Sequence, residues 1–251
     1  MLIIADPVFN SNDARAHKGT TSSSGDSELR GLGIQSALVD VTGDTTAGNA
    51  DAKMEGLPLA RLAGTRTEAE EISKLAKGSG GQADVWLDLD ANEDNVSSRD
   101  VTKSRVIHVA THGLLDADRP QFTGVVLSLV GNKSHDGFLR TDEIFNLRLG
   151  SPLVMLSACE TGLGKEKRGE GVLGLTRAFM YAGAPTVGVT LWSVADKSTA
   201  TLMTDFYRRL FSAGEVSTSA ALRDAQLAMI SDKKYSAPFF WAPFVLVGDW
   251  N

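Results

Sequence analysis

The run Arg105-Val106-Ile107-His108-Val109-Ala110 is almost unbroken in apolar residues and ends abruptly in Thr111-His112-Gly113. A strand that is apolar at odd and even positions alike buries both faces, the condition of a parallel sheet covered by helices on either side. Similar apolar runs repeat the signal at residues 2–5, 85–89, 152–156, 186–191 and 244–248. Between them the spacing is helical. Thr67 lies three residues before Glu70, which predicts a capping box; Ile72, Leu75 and Ala76 then supply an apolar face and Gly78 a stop. Residues 172–181 form a second helical stretch ending at Gly183, and two more carry Leu202, Phe206 and Leu210, and Leu222, Ala225 and Met229. Strands alternating with helices predict an α/β fold with a mostly parallel sheet flanked by helices on both faces. Residues 124–130 and 137–145 alternate around the turn Gly131-Asn132-Lys133 and predict a small β-hairpin excursion.

At 251 residues with 42% hydrophobic content, the chain can build one substantial core. A formal net charge of -6 leaves no electrostatic footprint for nucleic acid or an anionic membrane surface, so neither is expected as a partner. The single cysteine excludes an intrachain disulfide and fits a reducing compartment. Met1-Leu2-Ile3-Ile4-Ala5-Asp6 lacks the basic start of a signal peptide, and no apolar run reaches transmembrane length, so a soluble cytoplasmic protein is expected. Residues 10–65 are rich in Ser, Gly, Asp and Thr, with few aromatics, and are expected to form a long polar loop, partly disordered. Because the first strand signal starts almost at residue 1, the chain is expected to be a piece of a longer protein.

Two of the buried-strand signals end in polar residues at the same relative place. Residues 106–110 run into His112, and residues 153–156 run into Ser157-Ala158-Cys159. Catalytic groups of open α/β sheets collect at such carboxyl ends. If the two strands are neighbours, their backbones lie roughly 4.8 Å apart, and an imidazole and a thiol can converge there. A free thiol with a pKa of about 8.5 is only a few per cent thiolate at neutral pH, so an adjacent imidazole activates it. The backbone N–H groups of Gly113 and Cys159 are candidates to hold an oxyanion. A cysteine at a strand end also fits a small buried hydrophobe, and a strand-terminal histidine a satisfied core residue, so the pattern alone leaves both readings open.

Several segments together carry a resemblance that runs along nearly the whole chain. They are Asp6-Pro7-Val8-Phe9, residues 106–113, Leu156-Ser157-Ala158-Cys159-Glu160-Thr161-Gly162, Gly169-Glu170-Gly171, Ala182-Gly183-Ala184, Leu191-Trp192-Ser193-Val194-Ala195-Asp196, and residues 241–249. In this order they resemble the CHAT domain, a family similar to caspases and separase in fold and in a His-then-Cys dyad, and usually found after tetratricopeptide repeats. The resemblance implies one caspase-like domain over residues 1–251, lacking its N-terminal portion and any repeats. It further implies a bacterial-type cysteine endopeptidase with His112 as base and Cys159 as nucleophile. No cofactor or metal is implied for bond breaking. A protein substrate is implied, with a repeat region or regulatory partner. Residues 11–51 are longer and more polar than the family pattern and read as an insertion.

Asp196 follows Trp192 in a Trp-x-x-x-Asp string similar to one in separase, where the corresponding acid lies in the pocket for the residue before the scissile bond. A carboxylate there favours Arg or Lys. Asp196 fits a helix N-cap equally well. By analogy with caspases, Ser157 lines the same pocket wall, and being neutral it does not decide the preference. The loop Lys165-Glu166-Lys167-Arg168 reads as a solvated charge run or as a place of self-cleavage.

Three motifs are decoys. Gly169-Glu170-Gly171-Val172-Leu173-Gly174 has dinucleotide spacing, yet a charged loop separates it from the preceding strand and Glu170 opposes a pyrophosphate. Gly162-Leu163-Gly164-Lys165 lacks the first glycine and the Ser or Thr of a phosphate loop. His108 and His112 have the spacing of a helical zinc pair, but in extended chain that spacing is about 13 Å, and His108 reads as a buried structural residue. The rival to a peptidase is a catalytically silent caspase-like module that serves as a protein-interaction scaffold.

Overall fold

Leu2–Pro7 (β1) is buried at every position, as its apolar sequence requires of a strand with helices on both sides. The computed structural model describes residues 1–17, 59–98, 101–115, 123–157, 159–162, 168–192, 196–212, 214 and 216–249. After β1 come α1 (Ala63–Gly78), β2 (Asp84–Asp88), α2 (Glu93–Ser98), a 3-10 turn at Val101–Lys103 and β3 (Val106–Ala110). Then follow β4 (His112–Leu115), β5 (Gly124–Val126), β6 (Phe138–Arg140), α3 (Thr141–Asn146), β7 (Leu153–Leu156) and β8 (Cys159–Gly162). The remainder is α4 (Arg168–Tyr181), β9 (Thr186–Thr190), α5 (Asp196–Leu210), α6 (Thr218–Ser231), α7 (Pro238–Trp241) and β10 (Phe244–Gly248).

The main sheet has six strands in the order β10-β9-β7-β3-β1-β2. Every neighbouring pair is parallel except β10 with β9, which is antiparallel. This is the mostly parallel sheet expected from the sequence. Alternate residues feed two cores. Leu2, Ile4, Ile107, Val109, Val154 and Leu156 pack towards α4, whose Leu175, Ala178 and Phe179 join them. Ile3, Ala5, Leu153 and Met155 pack on the opposite face against residues of α1, α5 and α6, including Ile72, Phe206, Tyr207 and Ala225. Burying each large apolar side chain contributes about 1.5–3 kcal/mol, so the two faces together supply the main driving force for the fold. No helix among the described residues is long and apolar enough to cross a membrane.

The hairpin expected around residue 131 exists as β5 and β6, but it is part of a second sheet of four strands, β6-β5-β4-β8. That sheet arises because the chain continues extended after β3 and after β7. Between β3 and β4 the Thr111 hydroxyl donates to the Val126 carbonyl, turning the chain from one sheet into the other.

Two local expectations are corrected. Helix α1 begins at Ala63, with Leu62 at the N-cap position and no side-chain cap, so Thr67 is inside the helix and makes no capping box. One local and one tertiary contact stabilise the extra turn: Thr65 Oγ1 donates to Leu62 O at 2.7 Å and accepts from Asp6 N at 3.1 Å. Residues 141–146, expected to continue a strand from 137, form α3. Asp142 and Glu143 favour its first turn, and Arg140 N donates to Glu143 Oε2 at 2.8 Å. The stop at Gly183 holds: its φ is +111°, and a Cβ there would meet Leu149 O at 2.2 Å. The polar loop expected over 10–65 falls mainly on residues 18–58, which lie outside the described residues.

Candidate functional site

Because β1, β2, β3, β7 and β9 run parallel, their carboxyl ends meet at one edge of the main sheet. His112 opens β4 just beyond β3, and Cys159 opens β8 just beyond β7. β4 and β8 are parallel neighbours, and their register pairs His112 with Cys159, Gly113 with Glu160, and Leu114 with Thr161. Cys159 and Asp196 are described through their backbones.

The surroundings of His112 are apolar on one side and hydrogen-bonding on the other. Its ring is 5% exposed and lies 5.1 Å from that of Phe9, tilted by 53°. Phe9 belongs to a small cluster with Leu114, Val126 and Phe138, against which Leu59 packs. On the polar side, Nε2 lies 2.7 Å from the carbonyl oxygen of Ala60. A carbonyl only accepts, so this contact places a proton on Nε2 and makes Nδ1 the basic nitrogen of the neutral ring.

The other sequence-predicted residues occupy the same edge. Ser157 is 2% exposed, its N–H donates to Val109 O at 2.9 Å, and its hydroxyl has no hydrogen-bond partner among the described residues. Gly113 lies within β4, flanked by Val125 and Glu160. Trp192 follows β9, and its indole donates to Phe239 O at 3.1 Å, tying the edge to α7. Asp196 is the first residue of α5. Of the charged loop 165–168, residues 165–167 lie outside the described residues and Arg168 begins α4. The glycines of the dinucleotide decoy lie inside α4 rather than in a turn between strand and helix.

His108 is buried on the helix side of the main sheet. Its Nδ1 is 3.1 Å from the Tyr207 hydroxyl, and its Nε2 is 2.9 Å from Glu68 Oε1, a close contact that lacks hydrogen-bond alignment. Burial, with the nearby Glu68 charge, raises the Tyr207 hydroxyl well above its ordinary pKa.

Sequence reasoning missed an ionic network at the ends of β1 and β2. The Asp6 carboxylate is fully buried. Arg61 grips it with both arms, Nε to Oδ1 at 2.9 Å and Nη2 to Oδ2 at 2.7 Å. Arg66 Nε reaches Oδ2 at 2.7 Å, and Arg15 Nη1 reaches Oδ1 at 2.9 Å. Arg15 and Arg66 also bind Asp88. The hydrogen bond from Arg15 holds the Asp13 carboxyl down at about 2, and the bond to Asp6 raises the Arg61 pKa. Asp6 and Asp88 both have left-handed backbones, with φ of 47° and 53°, an uncommon conformation outside glycine that aspartate tolerates better than most residues. The motif Asp6-Pro7-Val8-Phe9 marked one end of this network, whereas nothing in the pattern around Arg61 identified the other.

Among the described residues, no group of three or more His, Cys, Asp or Glu side chains is arranged to hold a metal ion.

The chain resembles "Tetratricopeptide repeat protein 28" of Mus musculus and of Homo sapiens, at 36% identity over 110 residues in each case. Those matches cover 44% of this chain and 4% of each relative, so the chain spans only a small part of their length. The CHAT domain family model matches residues 2–249. The chain is therefore a member of the CHAT domain family, within the caspase-like peptidase superfamily.

Proposed function

We propose that this chain is a cysteine endopeptidase in which Cys159 attacks the scissile carbonyl and His112 manages the proton. One observation carries the reading: positions 112 and 159 are direct register partners on adjoining parallel strands at the carboxyl edge of the fold. Partnered positions share a face of a pleated sheet and stand about 5 Å apart, close enough for an imidazole and a thiol to exchange a proton. With Nε2 donating to Ala60 O, Nδ1 is the nitrogen that takes the thiol proton.

In the first half-reaction the thiolate sulfur bonds to the carbonyl carbon, and the amide N–H groups of Gly113 and Cys159 are assigned to the oxyanion. The C–N bond then breaks as the imidazolium returns its proton to the leaving amine. In the second half-reaction His112 takes a proton from water, whose oxygen attacks the thioester. The new carboxyl group departs and the thiol is restored.

Asp196 opens α5 at the same edge as Trp192 and Ser157, which supports a pocket for the residue preceding the cut that prefers Arg or Lys. The printed name of the mammalian relatives supports a tetratricopeptide-repeat region as the regulatory partner.

The near-complete burial of His112 favours a second reading, a silent scaffold module. Incubating wild type and Cys159→Ala with candidate protein substrates and an unbiased peptide library separates the two. A product that forms only with the thiol, ending in Arg or Lys, supports the peptidase. Identical outcomes for the two folded proteins, with partner binding intact, support the scaffold.

A further inference from the structure

We infer that Asp6 and Arg61 form a positioning clamp that sets the orientation and tautomer of His112 through the main chain of residue 60. The inference rests on the reading of His112 as the base, but the clamp has a physical signature of its own.

Ala60 supplies no side-chain group beyond a methyl, so the placement of its carbonyl depends on what fixes the residues beside it. Both are fixed. On one side Leu59 packs against the cluster of Phe9, Leu114, Val126 and Phe138, the same cluster that borders the His112 ring. On the other, Arg61 holds the fully buried Asp6 carboxylate in a two-armed contact at 2.9 Å and 2.7 Å. A bidentate pair fixes direction as well as distance, which a single point contact does not. Between these two anchors the Ala60 oxygen stands 2.7 Å from Nε2.

The left-handed backbone at Asp6 agrees with a placement role. Uncommon conformations of non-glycine residues persist where surrounding contacts over-determine them, and they cluster at functional sites. Asp6 N is held by Thr65 Oγ1 at 3.1 Å, and its carboxylate is shared with Arg15 and Arg66. The aspartate is therefore the fixed point, and Arg61 is the arm that transmits its position to residue 60. Neither residue is assigned contact with substrate.

Arg61 is the better test position because its side chain is 43% exposed, whereas Asp6 is fully enclosed. The measurement is the imidazole Nε2–H of His112, observed by nitrogen-resolved NMR of the full chain in wild type, Arg61→Ala, Leu59→Ala and Arg66→Ala. Arg66→Ala removes an ion pair from Asp6 without touching residues 59–61. Loss of a hydrogen bond to a charged or partly charged donor is a large change, so Nε2–H exchange should rise at least about tenfold in Arg61→Ala and Leu59→Ala. Arg66→Ala should lower the melting temperature and leave that exchange near wild type. In parallel, alkylation of Cys159 below neutrality should slow several-fold in Arg61→Ala, because an imidazolium that loses an acceptor is less stable and supports less thiolate.

Unchanged Nε2–H exchange in a folded Arg61→Ala overturns the clamp, as does an equal change in Arg66→Ala. If Arg61→Ala does not fold, Leu59→Ala decides by the same exchange criterion. Faster exchange with an unchanged alkylation rate upholds the clamp and removes the peptidase reading instead.

Discussion

His112 and Cys159 remain register partners across a break between two sheets. In the main sheet Val109 pairs with Leu156, and three residues further along each chain His112 pairs with Cys159 in the second sheet. The equal step keeps the two chains level from one sheet to the next, so the carboxyl edge of a parallel pair delivers a histidine and a cysteine to matching positions. Parallel strands have evenly spaced, slanted hydrogen bonds and no hairpin to adjust register, so an insertion of one residue in either crossing would put the two positions on opposite faces.

Removing the carboxylate at the centre of the arginine network should be costly. Asp6→Ala takes from Arg15, whose side chain is only 10% exposed, the one fully buried carboxylate among its ion pairs and leaves it Asp13 and Asp88. Breaking such a pair by deleting one member costs about 3–5 kcal/mol. Urea unfolding should give a midpoint far below wild type; a change under about 1 kcal/mol would contradict the role given to Asp6.

The His108 network should behave as structure and not as part of the site. Tyr207→Phe removes the hydroxyl that faces His108 Nδ1 at 3.1 Å and should destabilise the fold by about 1–3 kcal/mol, since it orphans a buried polar group. The rate of Cys159 alkylation should stay at its wild-type value. A change in that rate without a change in stability would mean that His108 communicates with the reactive edge.

Stability should fall as pH rises through neutrality. Burial, and next the Glu143 charge, push the Glu93 carboxyl from 4.5 up to about 7. A raised folded pKa means that the folded state binds more protons than the unfolded one, so the contribution is complete below the unfolded value and lost as pH climbs through about 7. The hydrogen bond that His135 donates to Asp94 raises the imidazole above its ordinary 6.5, which acts in the same direction over a higher window. The melting temperature should therefore drop between about pH 5 and about pH 8, and Glu93→Gln should remove the larger part of the drop, on the order of 2 kcal/mol. A Glu93→Gln protein with the wild-type slope would refute this assignment.

The specificity assignment has its own consequence. If Asp196 reads a basic residue before the cut, Asp196→Asn should lower kcat/KM for Arg and Lys peptides by about tenfold or more while sparing neutral ones. Equal loss across all peptides would assign Asp196 to the start of α5 and not to the pocket.

Much of this fold was legible because its strands are apolar on both faces. Runs such as 106–110 and 153–156 read as buried parallel strands, and their polar ends at His112 and Ser157-Ala158-Cys159 pointed to the edge where the strands meet. The second sheet was not legible, because β4 and β8 are short and continue strands already counted. Helix α1 starts ahead of its local capping signal at Thr67 because its first turn is held by Thr65 and Arg66 against Asp6, contacts between distant parts of the chain that local capping patterns do not reveal. Ala60 carries no sequence signal for a related reason: a backbone carbonyl has no residue type, and only the folded chain brings it to His112.

The most direct measurement is the rate of Cys159 alkylation by iodoacetamide against pH, in folded wild type and in His112→Ala. An isolated thiol of pKa about 8.5 is well under one per cent thiolate at about pH 6, so an imidazole partner should raise the rate there by tenfold or more. Wild type should react rapidly on a flattened profile below neutrality, and His112→Ala should fall back to the steep profile of an ordinary thiol. Superimposable profiles, or a thiol inert in both folded proteins, would contradict the pairing of His112 with Cys159.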